Sequence, residues 1–202
     1  MIRLTLIIVS FITTFRIYAY EISADIPLRF FLLKPQPSNK TLTVYSLAGL
    51  KVHGHKTFTH RLQLGRSYEV NLGQQQIFAQ GAQLEAKYSL YGISPVSLEH
   101  PSNIQIQWVS SLHIYGISTL YWGTYDLRSI MDTTNPLYRR PGSRLTLEGE
   151  MLSYSIGSGL NYPWDSHGWI KTEFLLGYGA ISGFALGSLT IVSLTIGAGY
   201  QL

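Results

Sequence analysis

The chain has 202 residues, which is enough for one domain and too few to expect two. Charged residues and aromatic residues each make up 13% of it, and this low charge with high aromatic content excludes a disordered chain. The absence of cysteine excludes disulfide frameworks and thiolate metal sites, and a net charge of +4 is too small to predict a nucleic-acid partner.

Residues 1–19 have the organisation of a secretory signal peptide. Arg3 precedes an apolar run over residues 4–12, and Ala19 supplies the small residue of a cleavage site. Arg16 interrupts the apolar run well before the roughly 20 residues that a membrane-spanning helix needs. We therefore predict that residues 1–19 are removed on export and that residues 20–202 form the mature domain. The alternative is an amphipathic or buried N-terminal element.

Alternation of apolar and polar residues with a period of two predicts β-strands along most of the mature chain. Weaker alternation marks residues 22–33, 41–52 and 57–64, with a further strand at 68–72 as an option. Regular alternation marks residues 80–92, 103–114, 144–151, 170–180 and 189–202, and residues 119–127 extend or follow the strand before them. A change of phase near Met151 predicts a β-bulge.

The count is about eight strands, with ten as the upper reading, and most are close to the 9–11 residues of a tilted membrane-spanning strand. A sheet in lipid cannot leave an edge unpaired. The sequence therefore predicts an all-β fold, a closed antiparallel up-and-down membrane β-barrel with apolar side chains outward and polar side chains inward. Aromatic residues near strand ends predict interfacial girdles, and these are Trp108, Tyr115, Tyr121, Trp122, Trp164, Trp169 and Tyr200.

Two other folds stay open at this stage. Residues 174–200 carry no charge, and Gly179, Gly183 and Gly187 in this stretch have the spacing of a helix-packing face, so a transmembrane helix is one alternative. A water-soluble, secreted β-sandwich with a binding face is the other.

The C-terminal strand has a more specific pattern, in which Leu194, Ile196, Ala198, Tyr200 and Leu202 alternate with small and polar residues. This pattern resembles the last strand of Gram-negative outer-membrane barrels, which is read by the barrel-assembly machinery and usually ends on Phe rather than Leu. The resemblance implies an outer-membrane protein whose partners are outer-membrane lipid, lipopolysaccharide and the assembly machinery. It implies a monomer without a cofactor. The chain length resembles that of the small eight-stranded type, whose members include structural barrels, adhesins, and lipid A deacylases or palmitoyl transferases.

The polar faces of the strands predict a cluster of side chains inside the barrel. Its predicted members are Glu85, Lys87, Gln105, Gln107, His113, Arg144, Glu148, Glu150, Lys171 and Glu173. Since side chains fill an eight-stranded barrel, this cluster predicts a salt-bridged interior and no open pore. The predicted function is a structural or surface-exposed binding role. The alternative is an enzyme that modifies lipid A or phospholipid, either a hydrolase or an acyltransferase.

No catalytic residue is assigned from the sequence. His113 has Ser111 one strand step away, but both lie on the predicted inner face, whereas a lipid hydrolase would need them on the lipid face. The segment 138–141 lies in the longest clear loop, and the guanidinium groups of Arg139 and Arg140 suit the phosphates of lipopolysaccharide.

The histidines His53 and His55, followed by His60, raise the question of a metal site. Two residues separated by one position on a strand point the same way, which suits a pair of metal ligands. Gly54 between them favours a polar turn instead. We therefore assign no metal ligand from the sequence.

Overall fold

The computed structural model describes residues 21–35, 42–46, 48–57, 61–72, 77–92, 112–126, 148–164, 168–183 and 187–201. All of the elements in these ranges are β-strands: β1 (Glu21–Pro35), β2 (Leu42–Ser46), β3 (Ala48–Thr57), β4 (Leu62–Leu72), β5 (Ile77–Tyr91), β6 (His113–Asp126), β7 (Glu148–Pro163), β8 (Gly168–Gly183) and β9 (Gly187–Gln201). Within these ranges no helix is long and apolar enough to cross a membrane. The predicted signal peptide lies outside the described residues.

The strands form one closed antiparallel sheet. Each strand from β3 to β9 pairs with its neighbours in chain order, and β9 closes the sheet by pairing with β1 along its whole length. β2 and β3 pair with successive parts of the other edge of β1, and the register shifts by one residue between them. Together they act as one strand. The described strands therefore make a closed eight-stranded barrel, and the predicted fold class is confirmed.

The register fixes the shape of the barrel. We trace the barrel from Ile22 by passing from each residue to its register partner on the next strand. After one circuit the path reaches β1 again at Leu32, ten residues further along the strand. With eight strands, this shear gives a strand tilt of about 40° and a backbone radius of about 8 Å. We call the end where β1 begins and β9 ends the lower end, and the opposite end the upper end.

The two faces of the sheet are the inverse of those in a water-soluble protein. Leu84, Trp122 and Ile156 point outward and expose 62, 64 and 54% of their surface, whereas Glu85 and Glu173 point inward and expose 3% or less. An apolar outer face around a polar interior is the pattern of a barrel in lipid. The β-sandwich and the transmembrane helix are therefore wrong, and β8 and β9 occupy the stretch proposed for the helix.

Most of the exposed aromatic residues fall into two groups along the barrel axis, and Phe174 and Tyr68 lie between these groups on the outer face. The lower aromatic group comprises Tyr88, Tyr91, Tyr162, Trp164 and Tyr200, and the upper aromatic group comprises Phe30, Trp122, Tyr154 and Tyr178. From the register and tilt, the groups are separated by about 20–25 Å, close to the roughly 25 Å of the apolar band of outer-membrane barrels. The two groups mark the lower and upper membrane interfaces.

Three of the aromatic residues predicted for the girdles lie inside the barrel instead. Tyr115, Tyr121 and Trp169 are almost completely buried. A Cβ at Gly199 would collide with the Trp169 indole, and one at Gly159 would collide with the Tyr115 ring. These inward glycines therefore provide the space that large rings need within a narrow barrel.

Several predicted strand boundaries also need correction. The predicted strand over 57–64 is wrong, because β3 ends at Thr57 and the antiparallel β4 begins only at Leu62. The predicted bulge near Met151 is absent, since β7 keeps one register against β6 from Glu148 to Asn161. Most of the predicted strand over 103–114 lies outside the described residues.

Candidate functional site in the barrel interior

The upper part of the interior is filled by apolar side chains. They form one buried cluster, here called the apolar plug, whose members are Phe31, Leu33, Phe78, Ala79, Tyr121, Tyr125, Met151, Ile181, Leu189 and Ile191. Within it, the rings of Phe31 and Phe78 pack against each other with their centroids 5.1 Å apart. The plug separates the upper end from the charged groups below it.

Directly below the plug, one charged pair is bound by amide side chains. Arg29 Nη2 lies 2.5 Å from Glu69 Oε2. Asn71 donates to Glu69 Oε1 at 2.8 Å, and Gln83 donates to Oε2. Because a buried carboxylate is stable only when its oxygens are paired, this arrangement compensates for the burial of both charges.

Three further ion pairs cross the middle of the lumen and form what we call the central network. Lys51 Nζ lies 2.7 Å from Glu85 Oε1, and Lys171 Nζ lies 2.6 Å from Asp25 Oδ2. Lys87 Nζ lies 3.1 Å from Glu173 Oε1. The central network and the Arg29–Glu69 pair above it together place four acidic residues opposite four basic residues in the lumen. The acidic residues are Asp25, Glu69, Glu85 and Glu173, and the basic residues are Arg29, Lys51, Lys87 and Lys171. Leaving the histidines aside, the buried formal charges of the described residues therefore cancel.

The two histidines of β3 belong to this network. In the register, Gly65 lies between His55 on one side and Glu85 on the other, and its missing side chain lets them meet. His55 Nε2 lies 2.9 Å from Glu85 Oε2. The sequence interpretation of a polar turn around Gly54 is therefore wrong, because these residues lie within a strand and both imidazoles are buried.

The same histidines also have the spacing of metal ligands. One donor atom from each of His53, His55 and Glu85 lies within 4.8 Å of the others. However, Lys171 donates to His53 Nε2 at 2.5 Å and Lys51 contacts Glu85 at 2.7 Å. Both ammonium groups contact other atoms of the same side chains, and a divalent cation between the three ligands would face their positive charge, so we interpret this cluster as part of the ion-pair network.

The structure brings together part of the predicted interior cluster. Glu85, Lys87, Lys171 and Glu173 lie in the central network, and His113 lies inside the lower end. Gln105, Gln107 and Arg144 lie outside the described residues. Glu148 begins β7, but its side chain is not among those described.

Glu150 does not lie inside the barrel, where the sequence predicts it. Its side chain is exposed and lies on the outward face of β7, while Met151 points inward into the plug. The sequence predicts the charged residue as the inward one and a bulge that restores the phase. In the continuous register, Glu150 lies near the upper end of β7, beyond the upper aromatic group, where its charge meets water rather than lipid.

Sequence reasoning missed half of the charged interior. Asp25 and Arg29 in β1, Lys51 in β3 and Glu69 in β4 are all buried. The signal was present, because Ser23, Asp25 and Arg29 alternate with apolar residues. This alternation of polar and apolar residues is lost near the upper end of β1, because its inward residues there belong to the plug and are apolar as well.

The predicted assembly signal lies on the outer surface of β9. Leu194, Ile196, Ala198 and Tyr200 all point outward and are exposed. Leu202 lies outside the described residues, as do Arg139 and Arg140.

Comparisons with known proteins agree with this architecture. No protein-family model matches the chain, and no curated protein does. Among solved structures, Neisserial surface protein A (NspA) superposes with a TM-score of 0.55 at 11% identity, covering 90% of this chain and 96% of that one. This chain has the fold of the small eight-stranded outer-membrane β-barrels.

Two other solved barrels are similar at lower TM-scores. The N-terminal β-barrel domain of Pseudomonas aeruginosa OprF gives 0.42 at 16% identity, covering 88% of this chain and 97% of that one. Ail, the attachment invasion locus protein of Yersinia pestis, gives 0.41 at 12% identity, covering 92% and 99%. At these identities the likeness concerns the fold alone.

The pairing of Arg29 with Glu69 gives a direct test of the interior. Replacing Arg29 with Met leaves the Glu69 carboxylate buried without its partner, and we expect a loss of about 3–5 kcal/mol in the free energy of unfolding. The double variant Arg29→Met/Glu69→Gln removes both charges and should be less destabilised than Arg29→Met alone. Urea unfolding in lipid vesicles measures both values.

The matched control is Lys34→Met, which removes an exposed charge from the same strand and should change stability by less than about 0.5 kcal/mol. If Arg29→Met were as stable as Lys34→Met, the interpretation of a paired, buried interior would be wrong.

Proposed function

We propose that this protein is an outer-membrane β-barrel with a structural or surface-exposed binding role and no open pore. The apolar outer face and the two aromatic groups support a membrane location, and the similarity of fold to outer-membrane barrels supports the outer membrane. Cleavage of residues 1–19 would accompany export to that membrane.

The observation that carries this proposal is the filling of the lumen. Phe31 and Leu189 in the plug and Lys51 and Lys171 in the central network expose none of their surface. A conducting pore needs a continuous path of water, whereas here the charged groups are paired with each other and covered by the plug. A barrel of about 8 Å radius leaves little space once such side chains point inward.

A surface role follows from the orientation of the strands. Barrels of this type place their termini on the periplasmic side, so the lower end would face the periplasm and the upper end the outside. Residues 127–147 form the longest connection at the upper end and contain Arg139 and Arg140. We propose that these guanidinium groups contact the phosphates of lipopolysaccharide.

The outward face of β9 supports the proposed route of assembly. Leu194, Ile196, Ala198 and Tyr200 present a regular apolar row at the edge that joins β1. An exposed strand with this pattern can be recognised by the barrel-assembly machinery before the sheet closes. We propose that the folded barrel is a monomer, since closure leaves no strand edge for a second copy.

Conductance measurements test the absence of a pore. The folded protein, reconstituted in planar bilayers, should give no steady ion current above that of the protein-free bilayer. Heat-dependent gel migration of the same preparation shows that the barrel is folded. Reproducible single-channel steps from the folded fraction would contradict the proposal.

The lipopolysaccharide contact has its own test. The variant Arg139→Gln/Arg140→Gln should bind lipopolysaccharide several-fold more weakly in a pull-down with purified lipopolysaccharide, because it loses the two guanidinium donors. The control Arg61→Gln changes an exposed arginine at the lower end and should bind like the wild type. Equal binding by all three proteins would exclude Arg139 and Arg140 as the contact.

A further inference from the structure

Three polar side chains meet inside the lower end of the barrel, and we call them the Ser89 cluster. Ser89 Oγ lies 2.9 Å from His113 Nε2. The Asn161 amide lies 3.4 Å from His113 Nδ1 on the other side of the ring. Ser89 is 6% exposed and His113 and Asn161 are each 2% exposed. A hydroxyl, an imidazole and an amide are therefore arranged in a line.

The register explains why these residues meet. His113 and Asn161 are direct partners at the lower ends of β6 and β7, and Ser89 lies at the lower end of β5 opposite Tyr115. Tyr91 pairs with Ile114, so Leu90 is an extra residue and forms a β-bulge directly after Ser89. Bulges occur frequently next to active sites, where they redirect a side chain. The Ser89 N–H donates to the Arg61 carbonyl at 2.8 Å and holds the backbone here.

The cluster can adopt the protonation state of a nucleophile with its base. Asn161 Oδ1 is buried without a hydrogen-bond partner. A half-turn of the amide brings this oxygen towards His113 Nδ1, where it accepts the Nδ1–H. His113 Nε2 is then free to accept the proton of the Ser89 hydroxyl. This is the nucleophile, base and orienting group of a serine hydrolase.

Two neighbours support this arrangement. The Tyr115 ring stacks on His113 with centroids 5.2 Å apart and planes 29° apart, which fixes the orientation of the imidazole. Lys87 Nζ lies 4.9 Å from the centroid of the same tyrosine ring. This contact, together with the ion pair of Lys87 with Glu173, holds the Tyr115 ring in place beside the imidazole.

We propose that Ser89 is the nucleophile of an esterase site that hydrolyses carboxylic esters with a short acyl group. His113 accepts the Ser89 proton as Oγ bonds to the ester carbonyl carbon. The carbon–oxygen bond to the alcohol then breaks, and the alcohol leaves with the proton from His113. Water, deprotonated by His113, attacks the acyl-serine ester, and the carboxylic acid leaves as Ser89 regains its proton.

The position of the cluster defines the class of ester. From register and tilt, it lies within about 5 Å of the lower aromatic group along the axis, and therefore at the level of water and lipid headgroups. Above it, Lys87, Tyr115 and Lys171 fill the lumen. An acyl chain has no space to extend inward, so the site suits a short acyl group that enters from the lower end. This activity goes beyond the proposed function and does not depend on it.

A fluorophosphonate probe tests the nucleophile directly, because it reacts with a serine that an adjacent base activates. The folded wild type should be labelled, and peptide mass spectrometry should place the label on Ser89. Ser89→Ala should lose the label, whereas Ser155→Ala, which changes a buried serine higher in the lumen, should keep it. Heat-dependent gel migration shows whether each variant is folded.

Ester hydrolysis tests the base and the orienting group. The wild type should hydrolyse p-nitrophenyl acetate much faster than p-nitrophenyl palmitate, and His113→Gln should lower the rate about 10²–10⁴-fold. Asn161→Asp should retain activity, because a carboxylate oxygen can accept the Nδ1–H, whereas Asn161→Leu should lose most of it.

The site of labelling in the wild type decides the proposal even if a variant fails to fold. A folded wild type that is unlabelled, or labelled only at another residue, would overturn it. Hydrolysis that is unchanged in folded Ser89→Ala would do so as well.

Discussion

The structure depends on one constraint, which is that a β-sheet in lipid must pair every strand edge with itself. No water is available in the hydrocarbon to satisfy free backbone N–H and C=O groups, so the sheet has to close. β1 meets this requirement by pairing with β9 along its full length on one edge and with β2 and β3 on the other. Closure with eight strands and a shear of ten then sets a lumen that inward side chains largely fill.

Closure also determines where the charges go. With lipid outside, the alternating strands direct most of their mid-strand charged residues into the lumen, where charges are costly unless they are paired, although Arg66 in β4 lies exposed on the outer face. The four acidic and four basic buried residues of the described strands balance one another, and each contacts a partner of opposite sign. The apolar plug continues the interior upward without further charge. The interior of this barrel is therefore a packed core, and the proposed esterase site lies at its lower end.

The sequence predicts the fold better than it predicts the interior. Alternation predicts β5, β8 and β9 because each of these strands has one polar and one apolar face. The rule that polar residues point inward fails in the upper barrel, where inward residues are apolar too. There the sequence predicts Glu150 as inward and Met151 as outward, and the structure shows the opposite. It also fails for Tyr115 and Trp169, because a ring beside an inward glycine has the same local pattern as a ring at the lipid interface. The contact of Ser89 with His113 joins two strands that residues 92–112 connect, and no local pattern indicates it.

The most direct test of this account is a disulfide across the closing edge of the barrel. Ala24 in β1 and Ala198 in β9 are register partners with exposed outward side chains, and the chain has no native cysteine to interfere. Register partners have Cα atoms about 4.5–5.5 Å apart, within the range of a disulfide. We predict that Ala24→Cys/Ala198→Cys forms the bond on mild oxidation while keeping its heat-dependent gel migration, and that Ala24→Cys/Leu194→Cys does not. A folded protein in which the first pair stays reduced, or in which the second pair forms the bond instead, would contradict the closed barrel in this register.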